Sequence, residues 1–375
     1  MVDNRRMELG DTLAVARSAL DAIMAALVAA GYSLVGPRVR DTSIVYDRLD
    51  TSAQLPEGYI TEQGPGTFRL LQGENARLFD FIPAADSWKK FLFPPRQELL
   101  QLRKDGKKWA VVDAEPQVEA FAFVGVRACE LAAIQIQDRV FIRPDYSDGS
   151  YRGRRNKVFM LAVNCVRPAG TCFCTTMGTG PEATTGFDLC LTELDDSFLV
   201  KIGSALGRDI LQGIPCEPAS AFRLGAAQRA LRDAAAKATC EIEPDTCAED
   251  IMASLDSPHW AEVAKRCLSC ASCTLACPTC FCWDVLDHSD LTGTETRRER
   301  VWDSCFNPSF SFQAGGNTRP SIQSRYRQWL SHKFGSWKEQ HGVLGCVGCG
   351  RCITWCPAGI DTRVEVATLQ KEGRS

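Results

Sequence analysis

The chain has 375 residues, 45% hydrophobic and 24% charged, a balance that suits roughly two to three globular domains and excludes general disorder or a disulfide miniprotein. Net charge is −3 and the isoelectric point is near 5.9, so no global field draws nucleic acid or an anionic membrane. The longest strongly apolar stretch, residues 22–30, is far shorter than the roughly 20 residues that span a bilayer. Arg5-Arg6 has no apolar segment behind it and reads as neither a secretory nor a twin-arginine signal. Cysteine is the abnormal count, at 19. An odd total in a long chain without an export signal points to metal or redox chemistry in the reducing cytoplasm, not to disulfides.

In chain order, residues 11–30 read as one amphipathic helix, capped by Asp11 and stopped by Gly31, with Leu13, Leu20, Ile23, Leu27 and Val28 on one face. Short β-like runs follow at 43–46 and 67–71. The aromatic stretch 88–95 reads as a buried loop or edge strand. Phe121–Val126 and Val158–Val163 are apolar runs of strand length, and residues 130–140 between them have helical spacing, which predicts one βαβ unit of a parallel sheet. Residues 188–194 and 198–202 suggest a hairpin. From Ser220 the pattern is helical, Thr246 with Glu249 offers a capping box, and Ser257-Pro258 starts a helix that runs into Cys267. Cysteines are absent from 1–128, number eight in 129–247 and eleven in 267–356. The expected fold is α+β: an α/β domain with a partly parallel sheet over 1–245, then a mainly helical, ferredoxin-like domain over 246–375.

One motif occurs twice. Cys267-x2-Cys270-x2-Cys273-x3-Cys277-Pro278 and Cys346-x2-Cys349-x2-Cys352-x3-Cys356-Pro357 both have the spacing of the bacterial ferredoxin run. Three thiolates two residues apart on a tight loop can face three corners of a cubane. The fourth, redirected by proline, ligates the other cluster. The expected ligand sets are therefore Cys267, Cys270, Cys273 and Cys356 for one 4Fe–4S cluster, and Cys346, Cys349, Cys352 and Cys277 for a second. Paired Cys-x2-Cys also binds zinc, but two complete runs each ending in proline speak for clusters. The runs start 79 residues apart, and 297–300 and 325–332 in the insertion look helical. Residues 297–338 carry eight Lys/Arg against two Asp/Glu, first a solvated face and alternatively a docking face for an acidic redox partner.

Cys129 opens the helix after one predicted strand and Cys165 ends the next, so both fall at the carboxyl edge of the parallel sheet, where open α/β folds bind ligands. The loop with Cys172 and Cys174 leaves from the same edge. These four thiols can hold a third iron–sulfur cluster; the competing reading is small core residues and a polar loop. Cys280, Cys282 and Cys305 read as buried structural residues, or as groups that tune the first cluster or supply a spare ligand. Cys190, Cys216, Cys240 and Cys247 have no ligand spacing. No dinucleotide or Walker fingerprint occurs, and Met177-Gly-Thr-Gly-Pro181 fits neither, so no flavin is expected on this chain. No catalytic residue stands out.

The run Gly125-Val-Arg-Ala-Cys-Glu-Leu-Ala-Ala-Ile134, with Asn164-Cys165, Cys172-Phe-Cys174, Met177–Pro181, Phe93-Pro-Pro95, Cys277-Pro-Thr-Cys-Phe-Cys282 and Cys346-Val-Gly-Cys-Gly-Arg-Cys352, resembles two related groups of proteins. They are the beta subunits of cytoplasmic NiFe sulfhydrogenases and the iron–sulfur subunits of anaerobic sulfite reductases. The resemblance implies an electron-transfer protein with 4Fe–4S clusters. Its partners would be a subunit that binds flavin and NAD(P) and a catalytic subunit of hydrogenase or sulfite reductase type. A relay needs clusters and insulation, and cofactors elsewhere do the bond chemistry. Two other classes compete: an enzyme reducing a substrate at the N-terminal four-cysteine site, and a redox sensor, which would lack any DNA-binding motif.

Overall fold

FAFVGV and VFMLAV have no polar face to turn to solvent, so both must be covered on two sides. The computed structural model describes residues 7–112 and 118–374; Arg5-Arg6 lies outside them. In chain order its principal strands are β1 (Thr12–Ala16), β2 (Ser33–Arg40), β3 (Ser43–Arg48), β4 (Tyr59–Gly64), β5 (Thr67–Gln72), β6 (Arg96–Asp105) and β7 (Lys108–Val112). They continue with β8 (Phe121–Val126), β9 (Val158–Val163), β10 (Leu189–Glu193), β11 (Ser197–Ile202), β12 (Glu217–Pro218), β13 (Trp283–Ser289) and β14 (Glu295–Trp302).

Eight of these form one sheet in the order β12-β1-β11-β10-β9-β8-β2-β3. The pairs β2·β8, β8·β9 and β9·β10 are parallel and the outer ones antiparallel. The helix Ala128–Phe141 connects β8 to β9, and β10–β11 is the expected hairpin. Alternation along the strands fills two apolar layers. Ala122, Val124, Phe159 and Leu161 face Leu20, Ile23 and Leu27 of helix Ala19–Ala29. Phe123, Met160 and Ala162 face Leu131 and Ile134 of helix Ala128–Phe141. A third core, with Trp260, Phe306, Tyr326, Trp329 and Phe334, joins helices His259–Arg266, Ile322–Ser331 and Thr362–Gly373 and has several cysteines at its margin.

Several expectations need correction. Residues 11–30 are not one helix: β1 pairs with β11, and the helix begins only at Ala19, while the Asp11 carboxylate accepts from the Glu8 N–H instead of capping it. Leu13 fits the period of two with Val15 as well as the helical period with Leu20, and pairing with β11 decides between them. The stretch 88–95 forms a one-turn helix, Lys89–Leu92, with Trp88, Leu92 and Phe93 buried around it. Residues 297–300 are strand, not helix. β14 lies between β13 and β6 in a four-stranded sheet, β13-β14-β6-β7, where the charges pair across strands: Arg298 with Asp287, Arg96 with Glu299. That sheet draws strands from both sides of the expected boundary, and the mainly helical expectation for the C-terminal part holds only in part. Arg325–Ser331 is helical as read. Thr246 begins a helix without a capping box, because its hydroxyl donates to Asp250 at 2.7 Å. The helix into Cys267 starts at His259, and Ser257 Oγ accepts from its N–H. The basic stretch 297–338 is not one surface face: Arg300, Arg325 and Lys333 are buried. Among the described residues no helix is long and apolar enough to cross a membrane.

Candidate functional site

The helix His259–Arg266 delivers Cys267, and the chain then curls through left-handed turns at Ser269 (φ 53°) and Ala271 (φ 65°) before Cys273. The curl turns Cys267, Cys270 and Cys273 toward one pocket, and Cys356 from the second run lines the same pocket. Phe306, Tyr326 and Trp329 wall it. Backbone N–H groups of Ser269 and Ile360 point at the sulfurs of Cys267 and Cys356, each at 3.4 Å. The Tyr326 hydroxyl and the Trp329 indole N–H are buried with no hydrogen-bond partner among the described residues. Two orphaned polar groups at a pocket of four thiols suit an occupant rich in acceptor sulfur.

The second run repeats this backbone. Gly348 (φ 64°) and Gly350 (φ 75°) make the same turns, and Gly348 N–H lies 3.4 Å from Cys346 Sγ. Burial raises the pKa of Cys349 and of Cys352, the latter pushed up to about 12, and the Cys277 thiolate of the first run adds to both. Burial likewise raises Cys267 and Cys273, and there Cys356 of the second run adds to the effect. Cys277 itself moves the other way, well below the ordinary thiol range. A hydrogen bond from Cys280 does most of this against the cost of burial, helped by Lys333 and Thr279. Each fourth cysteine thus acts electrostatically on thiols of the other run.

The candidate third site is a pocket lined by Cys129, Cys165, Cys172 and Cys174. The parallel sheet places the first two: Cys129 lies in the first turn of helix Ala128–Phe141 after β8, and Cys165 follows β9. The loop with Cys172 and Cys174 closes over them, and Gly180 packs on Cys174 so tightly that an added Cβ would stand 3.1 Å from its sulfur. The glycine-rich turn therefore walls this pocket. Arg127 also lines it, with Nη2 bound to the carbonyls of Phe79 and Phe81 at 2.6 and 2.7 Å. Its Nη1 is buried and has no partner among the described residues. Burial raises the Cys165 thiol pKa, and Arg127 pulls it down. An unpaired guanidinium nitrogen beside four thiols fits an anionic group such as an iron–sulfur cluster. Among the described residues no group of three or more His, Cys, Asp or Glu closes on one ion position.

The two pockets meet at the second run. Cys352 lines the first pocket and Cys349 the third. Phe173 N–H donates to Gly348 O at 2.8 Å, and Thr179 Oγ1 to Val347 O at 2.6 Å. Beneath them Arg351 pairs with Glu130 at 2.6 Å, both almost fully buried, while Glu130 also accepts from Tyr46 and Trp88. Arg127 and Arg351 are functional neighbours that motif spacing did not single out, although both stand within two residues of a candidate ligand cysteine. Of the remaining cysteines, Cys280 pairs with Cys277 and Cys282 with Cys305 by thiol hydrogen bonds. The buried Cys190 thiol donates to Asn164 Oδ1 at 3.5 Å. Cys247 is core, Cys240 packs at the margin of the same cluster, and Cys216 packs against the sheet core.

Residues 266–360 match a family model described as a 4Fe-4S dicluster domain. The chain is 33% identical over 293 residues to sulfhydrogenase 2 subunit beta of Pyrococcus furiosus, covering 76% of this chain and 83% of that protein. No solved structure matches. An iron–sulfur protein with an electron-transfer role in a multi-subunit complex, this chain belongs to the sulfhydrogenase beta-subunit family.

Proposed function

We propose that the chain is a cytoplasmic relay holding three 4Fe–4S clusters in line, with a flavin- and NAD(P)-binding partner at one end and a NiFe hydrogenase partner at the other. The first cluster would be held by Cys267, Cys270, Cys273 and Cys356. Cys346, Cys349, Cys352 and Cys277 would hold the second, and Cys129, Cys165, Cys172 and Cys174 the third. Each cluster supplies a one-electron carrier. The observation that carries the reading is the central position of the second run, which contributes Cys352 to the wall of one neighbouring pocket and Cys349 to the other. The protein's own part is insulation and charge. Phe306, Tyr326 and Trp329 form an aromatic wall of the first pocket, and Arg127 lines the third. The catalytic partner is proposed from the name of the Pyrococcus relative, a sulfhydrogenase subunit.

Iron content tests the count. Anaerobically prepared protein should hold about twelve iron atoms, and Cys165→Ser about eight, with both dicluster signals kept. Wild-type protein that stays at about eight irons after full reconstitution overturns the third cluster. The isolated chain should exchange electrons with dyes yet turn over neither hydrogen nor nicotinamide. Nicotinamide oxidation by this chain alone would overturn the relay.

A further inference from the structure

Two ammonium groups are buried where sulfur is the only anionic neighbour. Lys333 is 4% exposed, and its Nζ donates to Thr279 Oγ1 at 2.8 Å and Gly345 O at 3.0 Å. Lys89, also 4% exposed, donates to the carbonyls of Cys277, Cys280 and Leu275 at 3.0, 3.3 and 3.4 Å and lies 3.8 Å over the Trp302 ring. Neither has a carboxylate partner among the described residues. A buried ammonium without a counter-charge is costly, so an anionic group bound between these cysteine segments would stabilise both lysines.

The contacts of Lys333 are also specific in sequence. Thr279 stands two residues after Cys277, and Gly345 immediately precedes Cys346, so one side chain ties together the segments that bring cysteines from the two runs. The first pocket is arranged differently. Arg266 there is neutralised by Glu365 at 2.8 Å, and Arg325 reaches the cysteine loop only through Ser269 Oγ at 3.4 Å. We propose that Lys333, seconded by Lys89, is the built-in counter-charge of the cluster held by Cys277, Cys346, Cys349 and Cys352, and raises its reduction potential. A cluster gains one negative charge when it accepts an electron, and a fixed ammonium nearby stabilises that reduced state. Lys333 is thereby a positioning and potential-setting residue, not a ligand.

The inference rests on the proposed assignment of Cys277 to the second cluster. The test is a redox titration of the complete chain, followed by electron paramagnetic resonance, with the second centre identified as the signal lost in Cys346→Ser. Lys333→Met should lower that centre's reduced-to-oxidised ratio about tenfold at a fixed potential, a shift of about 59 mV for one electron. Lys333→Arg should restore most of it, and the first centre should not move. Lys89→Met should act in the same direction, about threefold. An unchanged second centre in Lys333→Met with full iron content, or an equal shift of both centres, overturns the proposal. Should Lys333→Met not hold its cluster, Lys89→Met decides alone, and an unchanged midpoint there overturns the inference. Failure of the ligand assignment reads differently: Cys277→Ser and Cys346→Ser would then disturb different centres, whatever the lysine variants do.

Discussion

The two cysteine runs have one backbone and two environments. Ser269 and Ala271 in the first run correspond to Gly348 and Gly350 in the second, and all four have positive φ. The ferredoxin-type loop demands that conformation, and glycine adopts it most cheaply. Yet the first run accepts serine and alanine there, because its loop faces open surroundings, with Leu268 65% exposed and Cys270 exposed. The second run has no such freedom. A Cβ at Gly348 would stand 2.6 Å from the Phe173 carbonyl carbon, and one at Gly350 would stand 2.5 Å from the Thr171 carbonyl oxygen. Val347, the counterpart of Leu268, is 2% exposed. Glycine in the second run is therefore explained by close packing on the N-terminal cysteine loop, and backbone strain alone is insufficient.

The largest effect should come from the shared fourth cysteines. Cys356→Ser should cost the first centre and spare the second, and Cys277→Ser the opposite, each losing about four irons, because serine oxygen is a poor substitute for thiolate. If Cys356→Ser abolishes the same paramagnetic signal as Cys346→Ser, ligation is local and the two runs are independent.

Next comes Arg351, whose counterpart in the first run is Ser272. Arg351→Met leaves Glu130 buried without its charge partner and should lower unfolding stability by about 3–5 kcal/mol. Ser272→Ala should stay within about 0.5 kcal/mol. A denaturant titration in which the two variants match would mean that Arg351 does not anchor the second run.

Gly350→Ala and Gly348→Ala should each destabilise by about 2–4 kcal/mol, combining a strained left-handed residue with overpacking against backbone. Ala271→Gly should change stability by less than about 1 kcal/mol. Faster loss of iron from the third site in Gly350→Ala than in Ala271→Gly would confirm that the second run supports that pocket. Equal rates would contradict the packing argument.

The smallest effect uses a cysteine outside both runs as a control. Burial pushes the Cys190 thiol up to about 12. Its neutral form contributes stability that is complete below the unfolded pKa near 9 and is lost as pH rises toward 12. The slope is about 1.4 kcal/mol per pH unit. Between pH 9 and 10, wild-type protein should therefore lose on the order of 1 kcal/mol more than Cys190→Ala. Parallel unfolding curves for the two would show that this thiol is not held neutral.

The amino-acid sequence by itself determined what is local or strictly periodic. The cysteine spacing of both runs is written in consecutive residues. Continuous apolar runs identified β8 and β9, and the helical spacing between them identified the crossover helix. Together they placed Cys129 and Cys165 at one sheet edge. Tertiary structure decided what depends on partners distant in the chain. Thr12–Ala16 became strand because β11 was available to pair with it. The arginines at 297–300 became part of a central strand because β6 and β13 pair with it on either side, with Asp287 facing Arg298 and Glu98 near Arg297. Lys333 and Arg325 look in sequence like any basic helix surface; burial against thiols and carbonyls makes them part of the surroundings of the cysteine pockets. No periodicity encodes that, because a buried cation is specified by what faces it, and Thr279 and Ser269 lie more than 50 positions from the cations they meet.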